Sequence, residues 1–121
     1  MAEWIVICGD EKMGGLENRE CVPCRGGVPP LDEKNAVELL GQIDDNWSII
    51  DNRHIERSWV FEDFVGALEF VNSAGVICED EGHHADFEFG WGRVKVIIWT
   101  HKINGLTESD FILAAKLDLL D

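Results

Sequence analysis

The sequence predicts an α+β domain, a four-stranded antiparallel sheet with three helices packed on one face, in the order α-β-β-α-β-β-α. Three observations lead there. Apolar residues recur at helical spacing in three separated stretches. Alternating stretches come in two consecutive pairs. The links within each pair are short, which suits hairpins and excludes parallel crossovers. Helices joined to such a sheet bury their apolar stripes against it.

The first helix follows Pro29-Pro30-Leu31, with Asp32 as its N-cap. Ala36, Leu40 and Ile43 keep its period, and Gly41 with Asp44 and Asp45 closes it. The strands "WSIID" and "HIERSWVF" flank "NR", a tight turn in which Asn52 tolerates positive φ. In the second strand Ile55, Arg57 and Trp59 share one face, opposite Glu56 and Ser58. The stretch "FEDFVGALEFVNSAGVICEDEG" reads as the second helix, with Phe61, Phe64, Val65, Leu68, Val71 and Gly75 at helical spacing and an end near Gly82. "ADFEFGWGRVKVIIWTH" reads as a hairpin that turns or bulges at Gly90-Trp91-Gly92. After the loop "INGL", the stretch "TESDFILAAKLDLL" forms the last helix, capped by Thr107. Residues 1–20 form an N-terminal extension, read as a short strand and a mobile arm, and residues 21–121 form a single domain.

A chain of 121 residues, 45% hydrophobic, is long enough to bury a core in one domain. Its formal net charge of -14 argues against nucleic acid as a partner, since phosphate binding needs a lysine or arginine footprint. A small molecule or a protein suits it better. The sequence has no apolar run of about 18 residues, so a membrane span is not expected. Glu3 and the lack of a basic first segment do not resemble a secretory signal, and the expected setting is the cytoplasm. The cysteines are Cys8, Cys21, Cys24 and Cys78. Cys21 and Cys24 make a single C-x-x-C, followed by Arg25-Gly26-Gly27 and the proline pair. That is loop chemistry, without the second C-x-x-C of a zinc ribbon, and structural or incidental thiols are favoured over metal or redox roles.

Three of the four histidines converge by topology. His83 and His84 lie between a helix end and a strand start, and His101 lies at the end of the following strand. If the two strands pair as a hairpin, all three imidazoles reach the same sheet edge. Exposed polar residues at strand ends would have the same pattern, and a zinc site with Cys78 or an acid is a further alternative. Adjacent residues on an extended chain face opposite ways, so the pair suits one metal poorly. Acid–base chemistry near neutral pH fits better. Asp110 is either an acid in the first turn of a helix or a residue that orients His101. Trp91 and Trp99 are sheet residues, or flat surfaces for a planar substrate.

"EDEGHH" followed by "GWGRVKVIIWTHKINGLTESDFILAAKLD" resembles the pterin-4a-carbinolamine dehydratase family. Glu79, His83, His84, Trp91, Thr100, His101, Gly105, Leu106, Thr107 and Asp110 fall in register with its pattern. Arg57, Phe61, Phe64, Ala67 and Phe70 resemble its strand–helix junction, "CVPCRGGVPPL" resembles the start of many bacterial members, and the likeness spans residues 21–119. Two positions depart: Ala85 stands where the family has proline, and Phe87 where it has tryptophan. The resemblance implies dehydration of 4a-hydroxytetrahydrobiopterin to the quinonoid dihydropterin, in pterin recycling after an aromatic amino acid hydroxylase. It implies His84 and His101 as the main acid–base pair, His83 polarising the pterin, and Asp110 holding His101. It implies substrate contacts at Glu79, Trp91 and Thr100, no metal or other cofactor, and a homodimer or homotetramer. The alternative function is a non-catalytic binding or assembly module on the same fold, against which the intact histidines weigh. A small metalloprotein is a third reading.

Overall fold

A computed structural model describes residues 15–21 and 29–120. Its elements are α1 (Glu33–Leu40), β1 (Ser48–Ile50), β2 (His54–Val60), α2 (Phe64–Glu81), β3 (Asp86–Gly90), β4 (Arg93–Ile98) and α3 (Glu108–Asp118). Two 3-10 turns, at Leu16–Asn18 and His101–Ile103, complete the order. Among the described residues every strand pairing is antiparallel and the sheet runs β1-β2-β4-β3, the predicted α+β architecture.

Local chemistry sets the boundaries. Asp32 caps α1 by accepting from the Asn35 amide at 2.8 Å. The second helix starts at Phe64, later than its apolar period suggests, because Asp63 accepts from the Gly66 amide at 2.8 Å and caps it there. Between β1 and β2, Asp51 and Asn52 both take φ of 54°, the left-handed pair of a tight hairpin turn, and the Arg53 amide closes it on the Ile50 carbonyl at 2.9 Å.

The sheet has an inner and an outer face. Ile55 and Trp59 on β2 and Val94, Val96 and Ile98 on β4 are buried, while Glu56, Ser58, Lys95, Ile97 and Trp99 face the other way. Against the inner face lies α3, whose residues Ser109 through Ala115 and Leu117 are all buried. An amphipathic stripe would serve a helix covered on one side; α3 is covered on several. The 3-10 turn seats Leu16 in the same core at 2% exposure. Of the predicted N-terminal extension, residues 15–20 are therefore seated on the domain, and residues 1–14 lie outside the described residues.

The core-facing side of α2 differs from the expected one. Ala67, Phe70, Ala74 and Cys78 face inward, while Phe64, Val65 and Leu68 remain 44%, 58% and 38% exposed. This helix is apolar around most of its circumference, so two stripes satisfy the helical period. The stripe with two alanines packs inward because small side chains let the helix axis approach its neighbours.

One charge is buried on the inner face. Arg57, at 6% exposure between Ile55 and Trp59, reaches Asp118 at 2.5 Å and Asp44 at 3.7 Å, and its guanidinium lies 4.3 Å from the centre of the Trp59 ring. Asp118 also accepts from the Trp47 indole at 2.7 Å and the Asp44 amide at 3.1 Å. Burial pushes the Asp118 carboxyl above its ordinary value, and these donors offset the shift only in part. Arg57→Ala leaves that carboxylate without its cation and is expected to destabilise the domain by about 3 kcal/mol, read as a lower urea midpoint at unchanged slope.

Candidate active site

The site starts at the end of α2. Gly82 adopts φ of 65°, a left-handed C-cap. Its amide bonds the Glu79 carbonyl and the His83 amide bonds the Cys78 carbonyl, both at 3.2 Å, the reciprocal pair of a Schellman turn. No atom lies within 4 Å of a Cβ added at Gly82, so glycine is there for its backbone freedom. The turn fixes the direction in which His83 leaves the helix.

That direction leads to Asp110. His83 Nε2 lies 2.5 Å from Asp110 Oδ1. The other oxygen, Oδ2, accepts from the Thr100 hydroxyl at 2.9 Å and from the Thr107 amide at 2.8 Å. Asp110 is fully buried, at 0% exposure, and three donors converge on it. One oxygen caps α3 and the other holds an imidazole, so the structural and orienting roles coexist. With Asp110 as acceptor, the neutral ring carries its proton on Nε2 and leaves Nδ1 as the free lone pair.

The pairing differs from the expected one, in which Asp110 held His101. The reason is register. Thr100 is the inward residue at the end of β4 and bonds Asp110, so His101 starts the 3-10 turn on the outside. Thr100 and Gly105 bridge backbone to backbone at 2.8 and 3.4 Å, which pinches residues 101–104 into a short loop. There His101 is exposed and lies against Trp99 in a tilted contact, ring centres 4.3 Å apart and planes inclined by 51°.

The other predicted residues divide. His84 is exposed and bonds Glu79 at 3.0 Å, pointing away from its neighbour as an extended pair must. The Thr100 side chain is engaged by Asp110 and Thr107. Trp91 is not brought to the histidines. Asp86 pairs with Ile97 at the histidine end of the β3–β4 hairpin and Gly90 with Arg93 at the other, and Trp91 occupies the turn beyond, roughly 15 Å along the strand. Its position beside "GWGR" placed it in register without placing it near the site. Ala85, in the family's proline position, is half-buried and packs against the core.

On the outward side of the same sheet end, sequence reasoning singled out Trp99 but not Asp51, Arg53, His54 or Ile97. Ile55 pairs with Ile98, so His54 and Trp99 fall opposite each other, with ring centres 6.1 Å apart. Asp51, Arg53, His54, Ile97 and Trp99 line a cavity of about 240 Å³. The alternation of both strands carried this signal. A third group tethers the N-terminal segment next to His83: the Cys21 amide bonds Glu81 at 2.9 Å, and Lys116 lies 3.4 Å from the same carboxylate. Burial pushes Glu81 up, but the Cys21 amide and the Lys116 ammonium outweigh it and hold the carboxyl below its ordinary value. Cys24 lies outside the described residues. Among the described residues, no cluster of three or more His, Cys, Asp or Glu side chains is placed to hold a metal ion. No helix among them is long and apolar enough to cross a membrane.

Fold and site together define a small α+β protein with a histidine–carboxylate centre at one end of its sheet. The chain belongs to the pterin 4 alpha carbinolamine dehydratase family, whose model matches residues 29–120. A relative from Rubrobacter xylanophilus, provisionally named a pterin-4-alpha-carbinolamine dehydratase, is 49% identical over 108 residues, which cover 89% of this chain and all of the relative. A similarly named protein of Alkaliphilus metalliredigens is 42% identical over 106 residues, 88% of this chain and 96% of that one. The crystal structure of a protein described as a transcriptional coactivator/pterin dehydratase from Brucella melitensis superposes with a TM-score of 0.70 at 34% identity, over 75% of this chain and 97% of that one. A pterin dehydratase-like protein described as a RuBisCO assembly factor in the alpha-carboxysome shares the fold, with a TM-score of 0.54 at 18% identity over 62% of this chain and 88% of that one.

The thiols next to the site give a direct test of this packing. Burial, with the Glu81 carboxylate nearby, pushes Cys21 up to about 12 from 9.0, and burial also raises Cys78. Only the thiolate alkylates, so at pH 8.5 both are expected to resist iodoacetamide in the folded protein and to label in urea, as read by peptide mass spectrometry.

Proposed function

We propose that this chain dehydrates 4a-hydroxytetrahydrobiopterin to the quinonoid dihydropterin by histidine acid–base catalysis. The observation that carries the reading is the His83–Asp110 couple, an imidazole whose Nε2 lies against a fully buried carboxylate oxygen. Family membership supplies the substrate class. In the reaction a proton leaves N5, the C4a–O bond breaks, a C4a=N5 double bond forms, and the hydroxyl departs as water after receiving a proton. One group must accept and another donate, and imidazoles do both near neutral pH. His83 Nδ1 is the group oriented to accept. His101, on its pinched loop, is the group that delivers the proton to oxygen. His84 with Glu79, both exposed, exchanges protons with solvent at the rim. No other cofactor enters this scheme.

The proposal places the reaction in pterin recycling beside an aromatic amino acid hydroxylase, in the cytoplasm. The fold shared with a protein described as a RuBisCO assembly factor, together with Ala85, favours one alternative, a non-catalytic assembly module.

The expected result is acceleration of dehydration of chemically generated 4a-hydroxytetrahydrobiopterin in stopped-flow absorbance. His83→Ala, His84→Ala and His101→Ala are each expected to lose about a hundredfold or more. Asp110→Asn, which presents an amide to the ring, is expected to fall similarly. A wild-type rate equal to buffer would favour the assembly module.

We also propose a homodimer or homotetramer. The outward stripe of Phe64, Val65 and Leu68 continues to Val76, which is 61% exposed, and Phe89 on the outermost strand β3 lies against Phe64 at 5.7 Å. Exposed apolar side chains along one helix support association through this face. Leu68→Glu with Val65→Glu is expected to convert the wild-type oligomer to monomer in sedimentation velocity. A monomeric wild type would remove the proposal.

A further inference from the structure

We infer that the cavity on the outer sheet face is a specificity pocket for a polar side chain at C6 of the pterin, an inference that rests on the dehydratase reading. The cavity and His101 form one structural unit. Trp99 is a wall of the cavity and also the ring against which His101 lies, at 4.3 Å. Arg53, on another wall, donates to the Asn104 side chain at 2.8 Å, and Asn104 closes the loop that carries His101. The cavity is thus coupled to His101 through a ring contact and through the loop.

Chemistry gives the pocket its occupant. In a pterin, C6 is bonded to N5, the atom that loses its proton. A ring placed with its N5 and 4a edge between His83 and His101 carries its C6 substituent past His101, toward Trp99. The lining suits a short hydroxylated chain. Ile97 and Trp99 offer apolar contact to its carbons, while Asp51 accepts and Arg53 and His54 offer further polar groups to its hydroxyls. The volume of about 240 Å³ is about eight times the ~30 Å³ share of one liquid water. It is open to solvent on one side and has room for a dihydroxypropyl group, whose hydroxyls reach polar groups that a methyl group leaves to water.

Two ligands that cannot be dehydrated test this without turnover, 7,8-dihydropterin carrying either a 6-methyl or a 6-(1,2-dihydroxypropyl) group, measured by calorimetry. The wild type is expected to bind the dihydroxypropyl compound about tenfold more tightly. Asp51→Asn keeps a residue that tolerates positive φ and removes the charge; Arg53→Gln keeps a donor to Asn104. Each is expected to bring the ratio close to one, and the same loss should appear in the KM ratio of the two 4a-hydroxy substrates with the kcat ratio unchanged. Equal wild-type affinities, or a ratio that survives both substitutions, overturns the inference. Failure of both compounds to bind overturns it together with the dehydratase reading. Discriminating binding without any turnover overturns that reading alone and leaves a selective pterin-binding pocket.

Discussion

The carboxylate of Asp110 is the point on which three elements meet. It accepts from the end of β4 through Thr100, from the start of α3 through the Thr107 amide, and from the residue after the α2 cap through His83. A fully buried carboxylate is tolerable only when its oxygens are satisfied, and here one requirement dictates the geometry of the whole end of the sheet. The strand must stop where Thr100 points inward, the helix must begin at Thr107, and the Gly82 turn must deliver an imidazole. Folding and the alignment of His83 are therefore the same event.

The rest of the architecture separates two surfaces. On the inner face, two alanines of α2 permit close approach and α3 fills the middle, covered on several sides. On the outer face, alternation leaves His54, Ile97 and Trp99 beside the loop of His101. The two imidazoles are thus held differently, His83 by the buried Asp110 and His101 against Trp99.

Much of this was legible in the sequence. Hairpin order, the Asp32 cap and the role of Thr107 follow from short-range periodicity and turn chemistry. Those signals act over a few residues and survive whatever the tertiary structure does. What escaped was decided at longer range. The inward side of α2 was ambiguous because both of its stripes are apolar, and only packing against the sheet selects the small one. The partner of Asp110 depended on whether Thr100 or His101 faced inward, a single step of register. Trp91 shares a motif with the histidines but sits at the far end of the hairpin, since adjacency in a motif is not adjacency in space. The contacts of Cys21 join parts of the chain separated by 60 and 88 residues, and no local pattern encodes them.

Asp110 has a counterpart at the other end of the same helix. Asp118 ties the last turn of α3 to Arg57 of β2 and to the indole of Trp47, about 12 Å from Asp110 at helical rise. A rod bolted at both ends can neither slide along its axis nor turn about it without breaking a buried polar contact. Its amides should open to solvent only when the whole domain does, on the slow timescale of hydrogen exchange. Segments whose ties are exposed, such as the loop of residues 101–104 with its Arg53–Asn104 bond, are expected to open sooner. The imidazole on Asp110 is thus held by the same contacts that fix the core, while the one on the loop is held by its ring contact with Trp99.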